Sequence, residues 1–475
     1  MDASSRRQSA FAQLDRRFGA AFSVAQAVRA RHAQDVSAHP PVLPDAVVTP
    51  GSIEEVQDLV RIAAGAGLPL VAYGSGTSCE GHIHAVRGGL VCDLSQMNRI
   101  LAVRPEDLDC TVEPGVTRLQ LNRALKGEGL HFPIDPGADA TLGGMLATGA
   151  SGTNAVRYRT MKENVLGLTL VMADGTLMRS GTRARKSSAG YNLTELFVGS
   201  EGTLGIVVEA HLRLYGLPEA ASVSLAGFDS ERAAVSAAVD ALRYGLSVAP
   251  IELMDGTAMA AVAASGLAVA AEPTLLLELD GTPAAVAEQT GLLAEIVAEH
   301  GGRLAGYATE AEARAALWQA RSQVYFALLA RRPGSVGWPT DVCVPLSALA
   351  EAVAAARRDI DAAGLEGAVL GHVGGGNFHV VFVLDPDDEE ERRRAEAVND
   401  AIIERAIAAG GTCTGEHGIG YGKIGHLEAQ HGDCLPAMRA LKAALDPQGI
   451  QNPGKIFRQE AAEAPGSTPP RRFAN

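Results

Sequence analysis

Glycine, gathered into three short stretches, constrains this chain more than any other feature. The first, Gly74-Ser75-Gly76-Thr77-Ser78, follows directly on a short apolar strand predicted over Leu68 to Tyr73. The second, DPGADATLGGMLATGASGTNAVRYRT at 135–160, keeps side-chain bulk low with Gly, Ala, Ser and Thr. The third is Gly199-Ser-Glu-Gly-Thr-Leu-Gly205-Ile. Backbone this bare presents N–H and C=O groups that need partners once buried, and a flat, polar cofactor would supply them. The GSGTS turn also aims several N–H groups and hydroxyls at one point, a nest suited to phosphate. A tight turn between strands would use the same residues, and the third stretch reads equally as a plain turn into a strand. Together the three point to a dinucleotide site without naming the dinucleotide.

Two familiar nucleotide motifs are excluded. The Rossmann fingerprint fails because Cys79 stands where its third Gly belongs, and Gly420-x-Gly422-x-x-Gly425 matches the string with no strand before it. No GK[ST] occurs, so there is no P-loop. Lys plus Arg total 41 against 55 Asp plus Glu, a net charge of −14 that repels polyanions. No nucleic-acid partner and no broadly basic membrane face are expected. The 6 cysteines form no C-x-x-C, which fits neither a zinc ribbon nor a disulfide scaffold and suits a reducing compartment. The N-terminus shows no signal-peptide pattern, and no run approaches the ~18 apolar residues of a membrane span. A soluble, cytoplasmic protein is the expectation, with peripheral attachment at the inner membrane as the alternative.

Residues 1–39 read as an N-terminal helical arm, and HPPVLPDAVVTP resets the chain to extended form. Ser52 and Glu55 make a capping box for a helix carrying Val56, Leu59, Val60 and Ala63, stopped by Gly65 and Gly67. A boundary is expected within 216–228. Beyond it, helices near 230–245, 284–300, 309–332, 346–363 and 388–410 alternate with strands near 221–228, 274–280 and 366–384, the pattern of an α+β domain. A glycine-rich segment at 410–425, a further helix and a frayed tail complete the chain.

Chemistry concentrates late in the sequence. In AVLGHVGGGNFHVVFVL (368–384) two β-rich runs flank a glycine cluster. With Gly375-Gly376 as a two-residue turn, His372 and His379 would face each other, with Cβ atoms ~5 Å apart. Such a pair can share a divalent metal, or be a cross-strand pair with no ligand. Gly415-Glu416-His417-Gly418 adds a carboxylate and an imidazole that diverge from one loop. One could complete a metal site and the other act as a base; a loop-stabilising hydrogen bond is the plain role for His417. Arg321 lies within the apolar helix face of Leu317, Trp318, Val324, Tyr325 and Leu328. A guanidinium there needs an anion, either a structural carboxylate such as Asp341 or a substrate carboxylate held bidentately.

With these residues in view, the sequence resembles the FAD-binding type 2 flavoproteins (the vanillyl-alcohol-oxidase/PCMH fold), and within them the D-lactate dehydrogenase (cytochrome) and glycolate oxidase D-subunit group. The matching stretches run in order from VTPGSIEEV through GSGTSCEGH, VEPGVTRLQLN, KSSAGYNLTELFVGSEGTLGI, TDVCVPLS, GHVGGGNFH and GTCTGEHGIGYGK to LDPQGIQNPGK. The resemblance implies α+β architecture: an FAD-binding PCMH-type domain over 40–218, a substrate (cap) domain with an antiparallel sheet over 219–410, a segment at 411–458 that carries the catalytic loop back to the FAD domain, and a flexible tail over 459–475. It implies FAD contacts from Ser75, Gly76, Thr77, Gly81, Pro136, Gly143, Gly144, Ser151, Gly152, Tyr158, Glu201, Gly205, Ile206 and Asn452. It matches His372, His379 and Glu416 to the ligands of a divalent metal, zinc or manganese. His417 matches the catalytic base, and Arg321 and Asn377 match substrate contacts. Flavin attachment is expected to be non-covalent, His82 offering the covalent alternative. Three departures stand out: Gly375 where Asp is common, Arg159 where Gly is usual, and Val336-Gly-Trp338 where relatives often carry a Lys.

The implied function is oxidation of D-2-hydroxy acids, D-lactate first, by an FAD- and metal-dependent dehydrogenase. A cytochrome, quinone or electron-transfer flavoprotein would reoxidise the flavin. The oligomeric state stays open between a homodimer and a complex with other subunits. A glycolate oxidase FAD subunit in a multi-subunit complex is the second enzymatic reading. A non-catalytic FAD scaffold is opposed by the intact Glu416-His417 and histidine pair, and a metallohydrolase leaves the glycine loops unexplained.

Overall fold

The computed structural model describes residues 3–266 and 269–458, so the tail expected over 459–475 lies outside the described residues. The chain divides into two compact units. The first runs through Ala150, resumes over Thr160–Gly216 and again from Glu416; the second comprises Ser151–Arg159 and Leu217–Gly415.

The first unit holds a four-stranded sheet in the order Phe22–Ser23, Ala46–Val48, Leu90–Asp93, Leu70–Tyr73. The last three strands are parallel, and Phe22–Ser23 pairs antiparallel with Ala46–Val48. The N-terminal arm is therefore not purely helical: after the helix Ala3–Phe18 it contributes a strand. The helix Ile53–Ala66 begins at Ser52, whose Oγ accepts from Glu55 N, and ends at Gly67 with φ +65°. Gly65 lies inside the helix, so Gly67 alone is the stop. Glu55 completes a modified capping box by accepting from Gly51 N at 2.8 Å. Val56, Leu59, Val60 and Ala63 pack with Leu14, Leu70, Leu90 and Ile206 in one core. The GSGTS turn leaves the C-terminal end of the parallel strand Leu70–Tyr73, the end at which such sheets receive ligands.

A second, antiparallel sheet of this unit runs Ile100–Arg104, Asp109–Val112, Ile206–Arg213, Val165–Val171, Leu177–Gly181. Ile206–Arg213 alternates buried and half-buried residues along its whole length, the period of a strand with one face in the core. Ile206 thus gives its side chain to the core, directly after Gly205.

The second unit is built on an eight-stranded sheet whose main path runs Arg303–Ala308, Ala220–Gly227, Thr274–Gly281, Val248–Met254, Gly367–Gly371, Asn377–Leu384, Val336–Pro339. All of its pairings are antiparallel. Helices Gly256–Ala264 and Ala311–Arg331 bury Met259, Val262, Val324 and Leu328 against Val223, Leu276, Leu370 and Val383. Helices Glu231–Arg243, Pro283–Glu299, Leu346–Ala362 and Glu389–Ala408 also pack on the sheet. The strand Val248–Met254 escapes a sequence reading because Pro250 interrupts it, and the pairing register shifts across that proline, between Val248 and Ile251. No helix among the described residues is long and apolar enough to cross a membrane.

Candidate active site

The hairpin of the second unit is not the two-residue turn that the glycines suggest. Gly367–Gly371 pairs with Asn377–Leu384 in the register Leu370↔His379, so His372 does not lie opposite His379. The chain instead makes a 3₁₀ turn over Val373–Gly375. Gly376, not Gly375, takes the left-handed conformation, with φ +81°, and a side chain there would strike Val344 O. Gly375 is exposed and faces open space, so the Asp usual at that position would fit sterically. Despite the shifted register the two imidazoles meet edge to face, with centroids 5.3 Å apart.

Each histidine is oriented from behind. His379 Nδ1 lies 2.9 Å from Thr340 O, and His372 Nδ1 lies 2.5 Å from Glu252 Oε1. Acceptors at both positions put the proton on Nδ1 and make Nε2 the basic nitrogen, the arrangement of metal-binding histidines. Gly415 donates its N–H to Asp341 Oδ2 at 2.8 Å, and Glu416 follows one peptide bond later. One ligand atom from each of His372, His379 and Glu416 lies within 4.8 Å of the others. Two imidazoles and a carboxylate suit zinc or manganese, so the donor set fits a divalent metal.

Arg321 and Asp341 have partners that the sequence did not identify. Arg321 pairs with Glu252, Nε and Nη2 both 2.9 Å from Oε2, and not with Asp341. Glu252 is fully buried. Burial pushes its carboxyl pKa up, but His372 and Arg321 outweigh that and hold it below the usual range. The three side chains form one relay from guanidinium through carboxylate to imidazole. The signal for Glu252 was a single charge in VAPIELM, a wholly buried strand, since such a charge must be compensated. Asp341, also fully buried, accepts from Asn377 Nδ2 at 2.6 Å, Thr414 Oγ1 at 2.6 Å and Gly415 N at 2.8 Å. Asn377 Nδ2 donates to Val342 O as well, which turns Oδ1 the other way. That oxygen is buried and meets no hydrogen-bond partner among the described residues.

In the first unit, Gly74 has no room for a side chain beside Thr141, and Thr141 N donates to Ser75 Oγ at 3.3 Å. Asp35, buried, receives Ser78 Oγ at 2.7 Å and Gly81 N at 3.0 Å, fixing the far end of the loop. Among the described residues, the backbone N–H groups of Ser75, Gly76 and Thr77 make no hydrogen bond. A cradle of unused donors at the end of a parallel strand fits a cofactor phosphate. Gly143 packs on Pro114, and Gly144 N donates to the capping Thr141 Oγ1. Pro136 is half-buried. Ser151, Gly152 and Tyr158 belong to the second unit.

Glu201 and Asn452 use their side chains inside the first unit. Asn452 Nδ2 donates to His82 O at 3.0 Å and Glu201 O at 2.7 Å. Both residues hold positive φ, +55° and +38°, a conformation that non-glycine residues keep only when their surroundings enforce it. His417 and Glu416 are both largely buried, His417 Nε2 lying 4.0 Å from Glu416 Oε1.

Residues 44–181 match the FAD binding domain family, and residues 217–456 match the C-terminal domain of the FAD linked oxidases. The chain belongs to the FAD-linked oxidases. It is 46% identical over 440 residues to a probable mitochondrial D-lactate dehydrogenase of Danio rerio, covering 92% of this chain and 88% of that protein. It is 43% identical to a mitochondrial D-lactate dehydrogenase (cytochrome) of Arabidopsis thaliana, covering 87% of this chain and 74% of the other. Glycolate oxidase subunit GlcD of Bacillus subtilis is 35% identical, covering 93% and 94%. The fold is shared with p-cresol methylhydroxylase, at a TM-score of 0.78 and 20% identity over 95% of this chain and 97% of that one. A 4-ethylphenol oxidase from Gulosibacter chungangensis gives 0.76 at 19% identity, again over 95% and 97%. The FAD-binding, PCMH-type α+β architecture and the FAD cofactor are therefore established, and this FAD-linked oxidase is an oxidoreductase.

Arg159 gives a direct prediction. It has φ +66° and ψ −155°, a region open essentially to glycine alone. Its strain of roughly 1–3 kcal/mol outweighs the roughly 0.5–1 kcal/mol that glycine's freedom costs. Arg159→Gly is expected to stabilise the protein by about 1 kcal/mol, read as a higher urea midpoint at unchanged slope. An unchanged or lower midpoint would show that contacts of the arginine side chain offset the strain.

Proposed function

We propose that this FAD-linked oxidase oxidises D-2-hydroxy acids, D-lactate first, to 2-oxo acids. The observation that carries the reading is the donor set of His372, His379 and Glu416, with both Nδ1 atoms fixed by acceptors and one of those acceptors shared with Arg321. His372, His379 and Glu416 would hold a divalent metal, zinc or manganese. When bound, the metal supplies polarisation of the substrate hydroxyl and FAD supplies two-electron acceptance.

The chain's own groups do the rest. Arg321 uses Nε and Nη2 on Glu252, which leaves Nη1 for one oxygen of the substrate carboxylate. Asn377, whose Oδ1 is unmet, is the second proposed substrate-contact residue. His417 takes the hydroxyl proton, and microscopic reversibility makes the same nitrogen the donor in the reverse direction. Glu252 holds Arg321 and His372 in fixed rotamers, so that substrate meets a site already shaped.

Ser75, Gly76, Thr77, Gly81, Pro136, Gly143, Gly144, Ser151, Gly152, Tyr158, Gly205 and Ile206 are the proposed cofactor-contact positions, the first three through unused N–H groups. A cytochrome, quinone or electron-transfer flavoprotein is the proposed acceptor. The proposed location is cytoplasmic, with peripheral attachment at the inner membrane as the alternative. The sparse cysteines, with no C-x-x-C, suit a reducing compartment, although the Danio and Arabidopsis relatives are mitochondrial. A second reading, an FAD subunit of a glycolate oxidase complex, rests on the end-to-end match with the Bacillus subtilis subunit.

Anaerobic spectra of the purified protein test the assignment. D-lactate should bleach the flavin band, L-lactate should not, and chelation should slow the reaction with flavin retained. Bleaching by glycolate alone would favour the second reading. Full activity in metal-stripped protein would overturn the metal's role, and no bleaching by any 2-hydroxy acid would overturn the function.

A further inference from the structure

The loop that carries His417 has glycine at 415, 418, 420 and 422, so its own backbone preferences do little to order it. Order comes from carboxylates that take its N–H groups. Upstream of Glu416-His417, Asp341 accepts from Gly415 N. Downstream, Glu201 Oε1 accepts from Ile419 N at 2.7 Å and Oε2 from Gly420 N at 2.9 Å. Glu201 is itself fixed on every side. Its N–H donates to Ala147 O at 2.7 Å, its C=O accepts from Asn452 Nδ2, and His82 Nε2 lies 3.3 Å from Oε1. Gly418, at φ +80°, admits no side chain, because a Cβ would overlap the His82 ring and the Glu201 carboxylate. The sequence resemblance assigned Glu201 to the cofactor, yet both of its carboxylate oxygens are engaged by the loop.

We infer that Glu201 is a positioning residue for His417: it clamps the two residues that follow Gly418 and so sets where the imidazole stands. The inference rests on the reading of His417 as the base. It assigns the clamp to the negative charge and full reach of glutamate together. Both loop bonds are charge-assisted, and losing one is expected to loosen the backbone roughly 10–100-fold. A catalytic group displaced by about 1 Å loses about 10²-fold in rate.

Two variants test it, Glu201→Gln and Glu201→Asp. The first keeps the length and one acceptor but loses the charge; the second keeps the charge but falls one methylene short. Both are expected to retain about one FAD per chain. In both, hydrogen exchange at the Ile419 and Gly420 amides should accelerate roughly 10–100-fold, measured on the flavin-loaded protein without substrate. Turnover of D-lactate should fall about 10²-fold at a KM within about threefold of the parent's. Unchanged exchange and turnover in both variants would overturn the clamp. So would a rate loss that merely tracks lost flavin, since Glu201 would then be a strut of the cofactor site. Faster exchange in Glu201→Gln alongside full activity in His417→Ala would support the clamp and overturn the base assignment, which keeps the two failures distinct.

Discussion

Replacing His417 with alanine is expected to slow reduction of the bound flavin by D-lactate about 10²–10⁴-fold, the usual cost of removing a general base. Flavin and metal should both stay near one equivalent per chain, because the three-donor group consists of His372, His379 and Glu416 without it. The loop should keep its course, since Gly415, Ile419 and Gly420 are held by backbone bonds to Asp341 and Glu201. His372→Ala and His379→Ala should behave differently, losing metal and activity in parallel with flavin retained. Metal analysis and anaerobic stopped-flow spectra on the three variants separate the cases. Loss of metal in His417→Ala would exchange its role with that of Glu416.

Arg321→Ala is expected to act on binding and stability at once. A lost charge-assisted contact to the substrate carboxylate is worth about 1.5–3 kcal/mol, roughly 10–100-fold in KM. The same change leaves the buried Glu252 carboxylate facing His372 alone, and breaking a buried pair from one side costs about 3–5 kcal/mol. The double variant Arg321→Met with Glu252→Gln divides the two effects. The side-chain amide introduced by Glu252→Gln would still accept from His372 Nδ1 through its carbonyl oxygen. No buried charge would remain unpaired, so most of the stability should return. KM should stay high. A double variant with normal KM would show that Arg321 has no substrate contact and serves only as the ion-pair partner of Glu252.

What could be read from the residues was local. The Ser52 cap, the Gly67 stop and the apolar stripe between them are set within one helix, and they appear as expected. The long helices of the second unit follow from their periodicity. The hairpin register failed because Gly374-Gly375-Gly376 permits several turns; the choice fell to a 3₁₀ turn in which Gly376 approaches Val344 O. Glu252 was missed because its partners lie 69 and 120 residues away, beyond any local pattern. Glu201 drew notice through its glycine neighbours, but nothing local says that its carboxylate faces residues 218 and 219 positions downstream. Long-range charge pairing, unlike helix capping, is decided by topology.

Because one carboxylate braces both His372 and Arg321, the two positions cannot drift separately. A substitution that relaxes the proposed hold of Arg321 on a substrate also disturbs a proposed metal ligand, and most such intermediates would be lost before a second change could compensate. Divergence toward new substrates is thereby channelled to positions outside the relay. Gly375, Arg159 and Val336, the positions at which the sequence resemblance implies departures from the group, are exposed.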